Sequence, residues 1–186
     1  MSRFRPFYNA ATAEWIEYTE VAEDTDGAFV RFNWRNVPGG VIAEHLHPHQ
    51  AEHFTITAGE ARFVLDGEER IVRTGETIVV PAGVPHTVGP AGSVDLEAVV
   101  ERRPALRAKE WHEALAGMVA DGKTSPRGAP KNPLQLGATF WDFRNESRVP
   151  SPPIWVQNIM LPPLWAMAKV FGVRPYYDRW DSRIRE

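Results

Sequence analysis

The chain has 186 residues, 43% hydrophobic and 24% charged, which is the balance of an ordinary soluble globular protein with one domain, or one domain and an appendage. The absence of cysteine excludes a disulfide scaffold, a thiol nucleophile and a thiolate metal site. Residues 1–103 hold 9 Lys+Arg against 16 Asp+Glu, and this acidic balance argues against nucleic acid as a partner, because phosphate binding needs a basic face.

Short β-rich runs separated by turn residues fill the chain from Ala13 to about Arg103. Asp66-Gly67 lies between two alternating runs and is typical of a two-residue hairpin turn. Eight or nine short strands at this spacing predict a sandwich or barrel. The predicted strands are residues 13–21, 28–36, 41–47, 52–57, 61–65, 70–73, 77–80, 86–88 and 94–101.

The pattern changes after Pro104. Residues 105–120 carry large apolar side chains at helical spacing, which predicts an amphipathic helix. The segment 136–143 fits either a strand or a short helix. We therefore expect a β-barrel domain over residues 1–103 and a helical extension over residues 104–186, packed on the barrel or on a partner subunit.

Residues 154–173 form an apolar run whose length matches a membrane span. Pro162 and Pro163 interrupt the run in its middle, so each half is too short to cross a bilayer. The pattern predicts two short helices, the second over residues 164–171. A helix that is apolar nearly all round must be buried, and we expect burial against the barrel or a partner subunit, with a membrane surface as the alternative. The full-length chain should then be soluble without detergent.

A cluster of histidines follows the third predicted strand. His45 and His47 are two residues apart in an extended segment, so their side chains project to the same face. Glu52 lies on the next strand and shares its face with Phe54 and Ile56, whereas His53 has the opposite face. Two imidazoles and a carboxylate on adjacent strands can converge on one divalent cation, and His86 in a later strand is a candidate fourth ligand.

These residues resemble the two sequence motifs of the cupin superfamily. The first comprises Gly39 or Gly40, His45-x-His47, Glu52 and Gly59, and the second comprises Gly75, Pro81-x-Gly83 and His86. The sequence departs from the family pattern at the end of the second motif, where Pro90 stands in place of asparagine. The resemblance implies a jelly-roll β-barrel with a metal held inside by His45, His47, Glu52 and His86.

A site of three imidazoles and one carboxylate suits Fe(II), Mn(II), Ni(II) or Zn(II). Four protein ligands leave one or two open positions on the metal, which favours catalysis over a closed structural site. Among the neighbouring residues, His49, Phe54 and Ile56 are candidates for the substrate pocket. His112 lies in the predicted helix, where we expect it on the polar surface.

The sequence favours a metal-dependent enzyme, a dioxygenase acting on a small organic molecule, in which Glu52 is both ligand and proton acceptor. One alternative is a metal-dependent isomerase or epimerase, for which His49 is the candidate general base; the other is a non-enzymatic small-molecule-binding protein. Residues 104–186 hold 12 Lys+Arg against 8 Asp+Glu, so we expect a homodimer that pairs this basic part with the acidic barrel. The basic N-terminal segment has no apolar signal-peptide core, and we expect a cytoplasmic protein.

Overall fold

The computed structural model describes residues 3–40 and 42–183, and within them the chain forms ten strands followed by three α-helices. Every predicted strand corresponds to an observed one, although Val41, the predicted start of one strand, lies outside the described residues. No sequence pattern predicts the short strand over Phe7–Asn9. The elements are β1 (Phe7–Asn9), β2 (Glu14–Glu20), β3 (Val30–Asn36), β4 (Ile42–His45), β5 (Ala51–Ala58), β6 (Glu60–Leu65), β7 (Glu68–Arg73), β8 (Thr77–Val80), β9 (His86–Pro90), β10 (Leu96–Arg103), α1 (Ala108–Ala120), α2 (Pro133–Asp142) and α3 (Ile154–Val170).

The strands form two antiparallel sheets, one in the order β1-β2-β3-β10-β5-β8 and the other in the order β4-β9-β6-β7. Side chains alternate between the interior and the surface, most clearly along β10, where Leu96, Ala98 and Val100 are buried. The inward-facing residues of both sheets form one continuous hydrophobic core. The predicted mainly-β fold, a jelly-roll barrel with a C-terminal helical extension, is confirmed.

The helical region is tied to the barrel by buried polar contacts. The Tyr18 hydroxyl on β2 lies 2.7 Å from His112 Nδ1 on α1. The amide of Gln50 donates hydrogen bonds to the carbonyls of Pro104 and Ala105, and Leu46 forms an antiparallel bridge with Arg148. These contacts hold α1 and the segment before α3 across one end of the barrel.

The segment 136–143, which fitted a strand or a helix equally well, lies mostly in helix α2. The Asn132 side chain accepts a hydrogen bond from the Leu134 N–H and caps this helix, while Pro133 occupies its first turn, where a missing N–H costs nothing. Helix α2 then packs closely on α3, because Gly137 faces Leu164 without a side chain between them.

We expect Gly137→Ala to destabilise the protein. An added Cβ would lie 2.4 Å from Leu164 Cβ and 2.7 Å from the Leu164 carbonyl carbon, so the two helices would have to separate. The matched control is Gly92→Ala, because no atom lies within 4 Å of a Cβ placed there. Thermal unfolding should show a melting temperature lowered by several degrees for Gly137→Ala alone. Equal melting temperatures for the two variants would contradict the close packing of α2 on α3.

The prediction that residues 154–173 form two helices is wrong, since α3 continues as one helix from Ile154 to Val170 with both prolines inside it. Pro162 and Pro163 have no N–H to donate to the carbonyls of Asn158 and Ile159, four residues earlier. Both of these residues are exposed, so water can reach the carbonyls that lose their helical partners. Packing against α2 then keeps the two halves in line.

Within the single chain this segment is only partly buried, so its expected burial against the barrel or a partner subunit stays a prediction. Leu161 is buried and Leu164 and Trp165 are half-buried, but the opposite face of α3 is apolar and open to solvent. We call this surface the outer face of α3; it comprises Trp155, Ile159, Met160, Pro163, Ala166, Met167 and Val170. Trp155 is 68% exposed and Val170 82% exposed, values that a helix in water seldom shows for such side chains. Among the described residues, no helix is both long and apolar enough to cross a membrane.

We expect the outer face of α3 to be covered by a second copy of the chain. A serine at Ile159, which is 65% exposed, should weaken this contact without disturbing the fold of the monomer. Sedimentation should give a dimer for the natural chain and a shift toward the 21.0 kDa monomer for Ile159→Ser. A natural chain that remains monomeric at high concentration and floats with liposomes would instead assign the outer face to a membrane surface.

Candidate metal centre

Three strands bring the predicted ligands together inside the barrel. His45 ends β4 and lies directly opposite His86 on the neighbouring strand β9. His47 follows two residues later, where the N–H of Gly83 donates a hydrogen bond to its carbonyl and fixes the chain. Glu52 projects inward from β5 of the facing sheet. The site therefore lies between the two sheets, as the alternation of side chains predicts.

The four side chains offer ligand atoms that all lie within 4.8 Å of one another. His45 Nε2 is 3.1 Å from His47 Nε2, and Glu52 Oε2 is 3.1 Å from His86 Nε2 and 3.4 Å from His47 Nε2. His47, Glu52 and His86 are buried, whereas His45 is half-buried. The four predicted ligands thus form one compact cluster.

Backbone carbonyls fix the orientation of all three imidazole rings. The Nδ1 atoms of His45, His47 and His86 lie 2.8, 2.5 and 2.9 Å from the carbonyl oxygens of Ala43, Glu146 and Val84. A carbonyl oxygen only accepts hydrogen bonds, so each Nδ1 must carry the proton and donate it. Each Nε2 consequently presents a lone pair to the centre of the cluster.

This donor set fits a divalent metal. Three Nε2 lone pairs and one carboxylate oxygen face one another with no proton available between them, because each ring proton is used at Nδ1. The 3.1 Å contact between His45 Nε2 and His47 Nε2 therefore joins two acceptors. A cation among these atoms would turn a repulsive arrangement into a favourable one, and ligands bonded at about 2.1 Å lie roughly 3 Å apart at right angles.

Arg102 orients the carboxylate of the cluster. It lies on β10 beside Glu52, is buried, and donates a charge-assisted hydrogen bond from Nε to Glu52 Oε1. Burial acts to raise the pKa of Glu52, but the positive charge of Arg102 outweighs it and holds the pKa well below its ordinary value. Glu52 therefore stays ionised and keeps Oε2 free for the cluster.

Burial has the opposite effect on the pKa of the imidazoles, because an imidazole is charged when protonated. It lowers the pKa of His45 well below the ordinary value of 6.5, and the neighbouring rings of His47 and His86 lower it further. Burial and then the charge of Arg102 also lower the pKa of His47. Both rings thus remain neutral, the form that binds metal, to lower pH than free histidine does.

We expect the metal-free protein to lose stability on acidification between about pH 7 and pH 5. The buried histidines take up protons less readily in the folded than in the unfolded chain, so lowering the pH through 6.5 favours unfolding. The lowered pKa of Glu52 adds to the loss as the pH falls further, through and below 4.5. Glu14, whose pKa is raised by burial, acts in the opposite direction and limits the loss. The melting temperature of chelator-treated protein, measured at several pH values in this range, gives the change of stability with pH. A melting temperature that does not change with pH would contradict the burial of neutral rings.

The cluster lies at the inner end of a cavity of about 430 Å³. His45 and Glu52 line this cavity, whereas His47 and His86 lie behind its wall. Helices α1, α2 and α3 contribute the outer part of the wall, so the helical extension covers the open end of the barrel. An approaching molecule would reach the cluster from the side of His45 and Glu52.

The three residues predicted for the pocket have different positions. Phe54 lines the cavity. Ile56 is buried in the core, two residues further along β5, and does not line it. His49 is exposed in the connection before β5 and does not line it either, because the chain turns outward between Pro48 and the start of the strand. The structure corrects the assignments of His49 and Ile56.

Sequence reasoning missed most of the polar residues that line the cavity, among them Glu14, Arg102 and His112. The alternation along β10 carried the signal for Arg102, because it continues the inward series of Ala98 and Val100. His112, expected on the polar surface of its helix, is instead buried beside Tyr18 and Phe32. Burial lowers its pKa well below the ordinary value, with a further contribution from Arg102, so its ring is neutral. Only the packing of α1 against the barrel reveals this position.

Comparison with known proteins links the site to a family. Residues 33–100 match the family model for the cupin domain, a stretch that contains the whole cluster. A mannose-1-phosphate guanylyltransferase from Salmonella montevideo is 38% identical over 68 residues, covering 37% of this chain and 14% of that protein. The chain thus spans only a small part of the length of that relative.

Similar folds occur among solved structures. A protein from Thermotoga maritima described as a predicted oxalate decarboxylase superposes with a TM-score of 0.51 and 19% identity, over 54% of this chain and 93% of that chain. A sugar phosphate isomerase of the cupin superfamily from Silicibacter pomeroyi gives a TM-score of 0.47 and 19% identity, over 54% and 71% of the two chains. At 19% identity the first likeness concerns the fold alone, and the second, with a TM-score below 0.5, supports no conclusion.

Proposed function

We propose that this chain, whose residues 33–100 match the cupin domain, is a metal-dependent enzyme, a dioxygenase that acts on a small organic molecule. The observation that carries the proposal is the position of the cluster: three imidazoles and one carboxylate at the inner end of a largely apolar cavity, with two of the four ligands facing it. A structural metal has no need of such access.

His45, His47, Glu52 and His86 would hold the metal, which we take to be Fe(II), Mn(II), Ni(II) or Zn(II). A bound metal of this kind supplies Lewis acidity, and a redox-active one also supplies electrons for chemistry with O₂. The nitrogen and oxygen donors suit these ions, and the chain has no cysteine that would select a softer one.

Other residues around the cavity orient the ligands and shape the substrate pocket. Arg102 holds Glu52 in one orientation, and the lowered pKa of Glu52 suits it to bind a cation but makes it a weak proton acceptor. The neutral ring of His112 lines the same cavity, but burial lowers its pKa as well, so it too is a weak proton acceptor. The helices of the extension exclude water from the apolar part of the cavity.

The alternatives differ in what they require of the cavity. An isomerase needs a general base, and His49, which the sequence offered for that role, is exposed and outside the cavity. A binding protein without activity would use the same cavity and metal but no proton acceptor. The neighbouring isomerase structures do not favour either reading, because so weak a likeness supports no conclusion.

Oxygen consumption separates the three functions. The protein would be purified without chelator, analysed for metal, reconstituted with Fe(II) under argon, and then supplied with a panel of catechols, β-diketones and hydroxyketones. Uptake of one O₂ per molecule of product supports the dioxygenase. Metal-dependent conversion that continues under argon would establish an isomerase, and binding without conversion in either gas would establish a binding protein.

A further inference from the structure

The cavity has a polar inner end and an apolar outer chamber. The inner end carries the charged or titratable side chains of Glu14, His45, Glu52, Arg102 and His112. The outer chamber is lined mostly by large apolar side chains from all three helices of the extension: Trp111, Leu115, Leu136, Phe140, Leu161 and Leu164. Polar residues of the extension that also line the cavity are Gln157 on α3 and Arg127, Ser147 and Arg148 in the connections between the helices. A molecule that fills both parts must have one polar end and an apolar body.

The guanidinium of Arg102 has an unused donor at the inner end. Its Nε donates to Glu52, but Nη1 is buried and has no hydrogen-bond partner among the described residues. Arg102 as a whole is only 5% exposed and lines the cavity. A buried donor on a charged group is costly to leave unpaired, so a rotation of the guanidinium that brings Nη1 to an acceptor on a ligand in the cavity would be favoured.

The charges around this donor favour an anion. Glu52 is the carboxylate that pairs with Arg102, and it would be shared with a divalent metal. The nearby carboxylate of Glu14 already accepts hydrogen bonds from Thr12, Trp34 and Asn9. Even with Glu14 ionised, a divalent cation and Arg102 together carry more charge than the two carboxylates of Glu14 and Glu52. With a divalent cation bound, the inner end therefore carries an excess of positive charge.

The outer chamber excludes a strongly polar body. Hydroxyl groups placed against the apolar side chains of α1, α2 and α3 would lose their hydrogen bonds to water, and the polar side chain of Gln157 on α3 is already hydrogen-bonded to Arg148, Val149 and Pro152. A molecule with a hydroxyl on every carbon is thus a poor fit. The cavity volume of about 430 Å³ lies in the range that encloses one small organic molecule.

We propose that the substrate is a largely apolar molecule with a single anionic oxygen head, whose head is bound by Arg102 beside the open side of the ligand cluster and whose body fills the chamber between α1, α2 and α3. This inference rests on the proposed function and names its substrate class. Arg102 is then a specificity-determining residue, because it binds an anionic head more tightly than a neutral one, whereas the helical extension favours an apolar body.

Three probes test the inference without knowledge of the substrate: decanoate, which has head and body; decanol, which lacks the charge; and butyrate, which lacks most of the body. Binding to the Zn(II)-loaded protein is followed by calorimetry and by tryptophan fluorescence, since Trp34 and Trp111 both line the cavity. We expect decanoate to bind at least about tenfold more tightly than either of the others, as one charge-assisted hydrogen bond allows. Equal affinities for decanoate and decanol would overturn the inference, with no variant needed.

Three variants locate the site. Arg102→Leu should abolish the preference for decanoate over decanol, and Leu115→Trp, which fills the outer chamber, should weaken binding of both. Ile159→Ser, on the outer face of α3, should leave the binding of both unchanged, because Ile159 does not line the cavity. Decanoate binding that survives Leu115→Trp but is lost in Ile159→Ser would place the ligand on the outside of the protein and overturn the inference.

Metal analysis of the same preparations separates this inference from the proposed function. A protein that retains one equivalent of metal but does not discriminate decanoate from decanol would refute the substrate class alone. A protein that retains no metal, yet prefers decanoate through Arg102, would refute the metal-dependent enzyme and leave the anion-reading role of Arg102 in place.

Discussion

Replacing His47 with alanine is expected to abolish tight metal binding. His47 is buried, its Nδ1 is fixed by the Glu146 carbonyl, and its Nε2 lies among the other ligand atoms. Removal of one of four ligands opens the cluster and should weaken the affinity for Zn(II) by more than about a hundredfold, since even loss of a residue that only orients a ligand costs 10–100-fold. Competition with a chromophoric chelator measures this affinity directly.

His53→Ala is the matched control, because His53 lies on β5 next to Glu52 but projects to the opposite side of the sheet. It should bind metal as the natural chain does. His47→Ala also removes a buried hydrogen bond to the Glu146 carbonyl, so His45→Ala, at a half-buried ligand, gives a second variant with less effect on folding. One equivalent of metal at unchanged affinity in both ligand variants would refute the assignment of the site.

The ligand cluster was predictable from the sequence because strand geometry is local and regular. The spacing of His45 and His47 and the alternation around Glu52 fix which side chains face inward, whatever the details of the barrel. The same alternation predicts that Arg102 faces inward, because it lies two residues beyond the inward-facing Val100 on β10. Prediction succeeded where a period of two residues determines the face of a side chain.

The parts that could not be predicted depend on contacts between distant segments. The burial of His112 follows from the packing of α1 over Tyr18, which no local pattern reveals. The continuity of α3 through Pro162 and Pro163 follows from its packing on α2, whereas local propensity favours a break. The exposure of Trp155 has a similar origin, because hydrophobicity alone does not tell which face of an apolar helix meets the barrel.

Deleting residues 150–186 is expected to unfold or aggregate the protein. The deletion removes the tail after α3, which passes back over α1 and supplies partners to a buried carboxylate. Glu113 on α1 is almost fully buried and accepts hydrogen bonds from the Ser182 N–H and hydroxyl and from the Tyr176 hydroxyl. Of its partners among the described residues, the truncated chain would keep Lys109, and a buried carboxylate that loses most of its hydrogen bonds costs several kcal/mol.

The same deletion exposes apolar surface that the tail covers. The ring of Trp180 packs against Gly117, where even a Cβ would come within 2.3 Å of it. Leu161 and Leu164 of α3, which close the outer chamber of the cavity, would be lost together. Each large buried side chain contributes about 1.5–3 kcal/mol, and a domain of this size is stable by only about 5–15 kcal/mol in total.

Thermal melting and light scattering distinguish this structural role from that of the outer face of α3. We expect the truncated chain to melt at least about 10 °C below the natural one, or to aggregate on purification. Ile159→Ser alters only an exposed side chain and should melt at the same temperature as the natural chain. The two proteins must be compared at equal, low concentration, because dimer dissociation would otherwise change the melting temperature. A truncated chain that stays soluble and melts with the natural protein would mean that the barrel folds independently of Glu113 and its partners. The extension would then serve only to cover the cavity, and truncation should weaken decanoate binding while leaving metal affinity unchanged, since all four ligands precede residue 104.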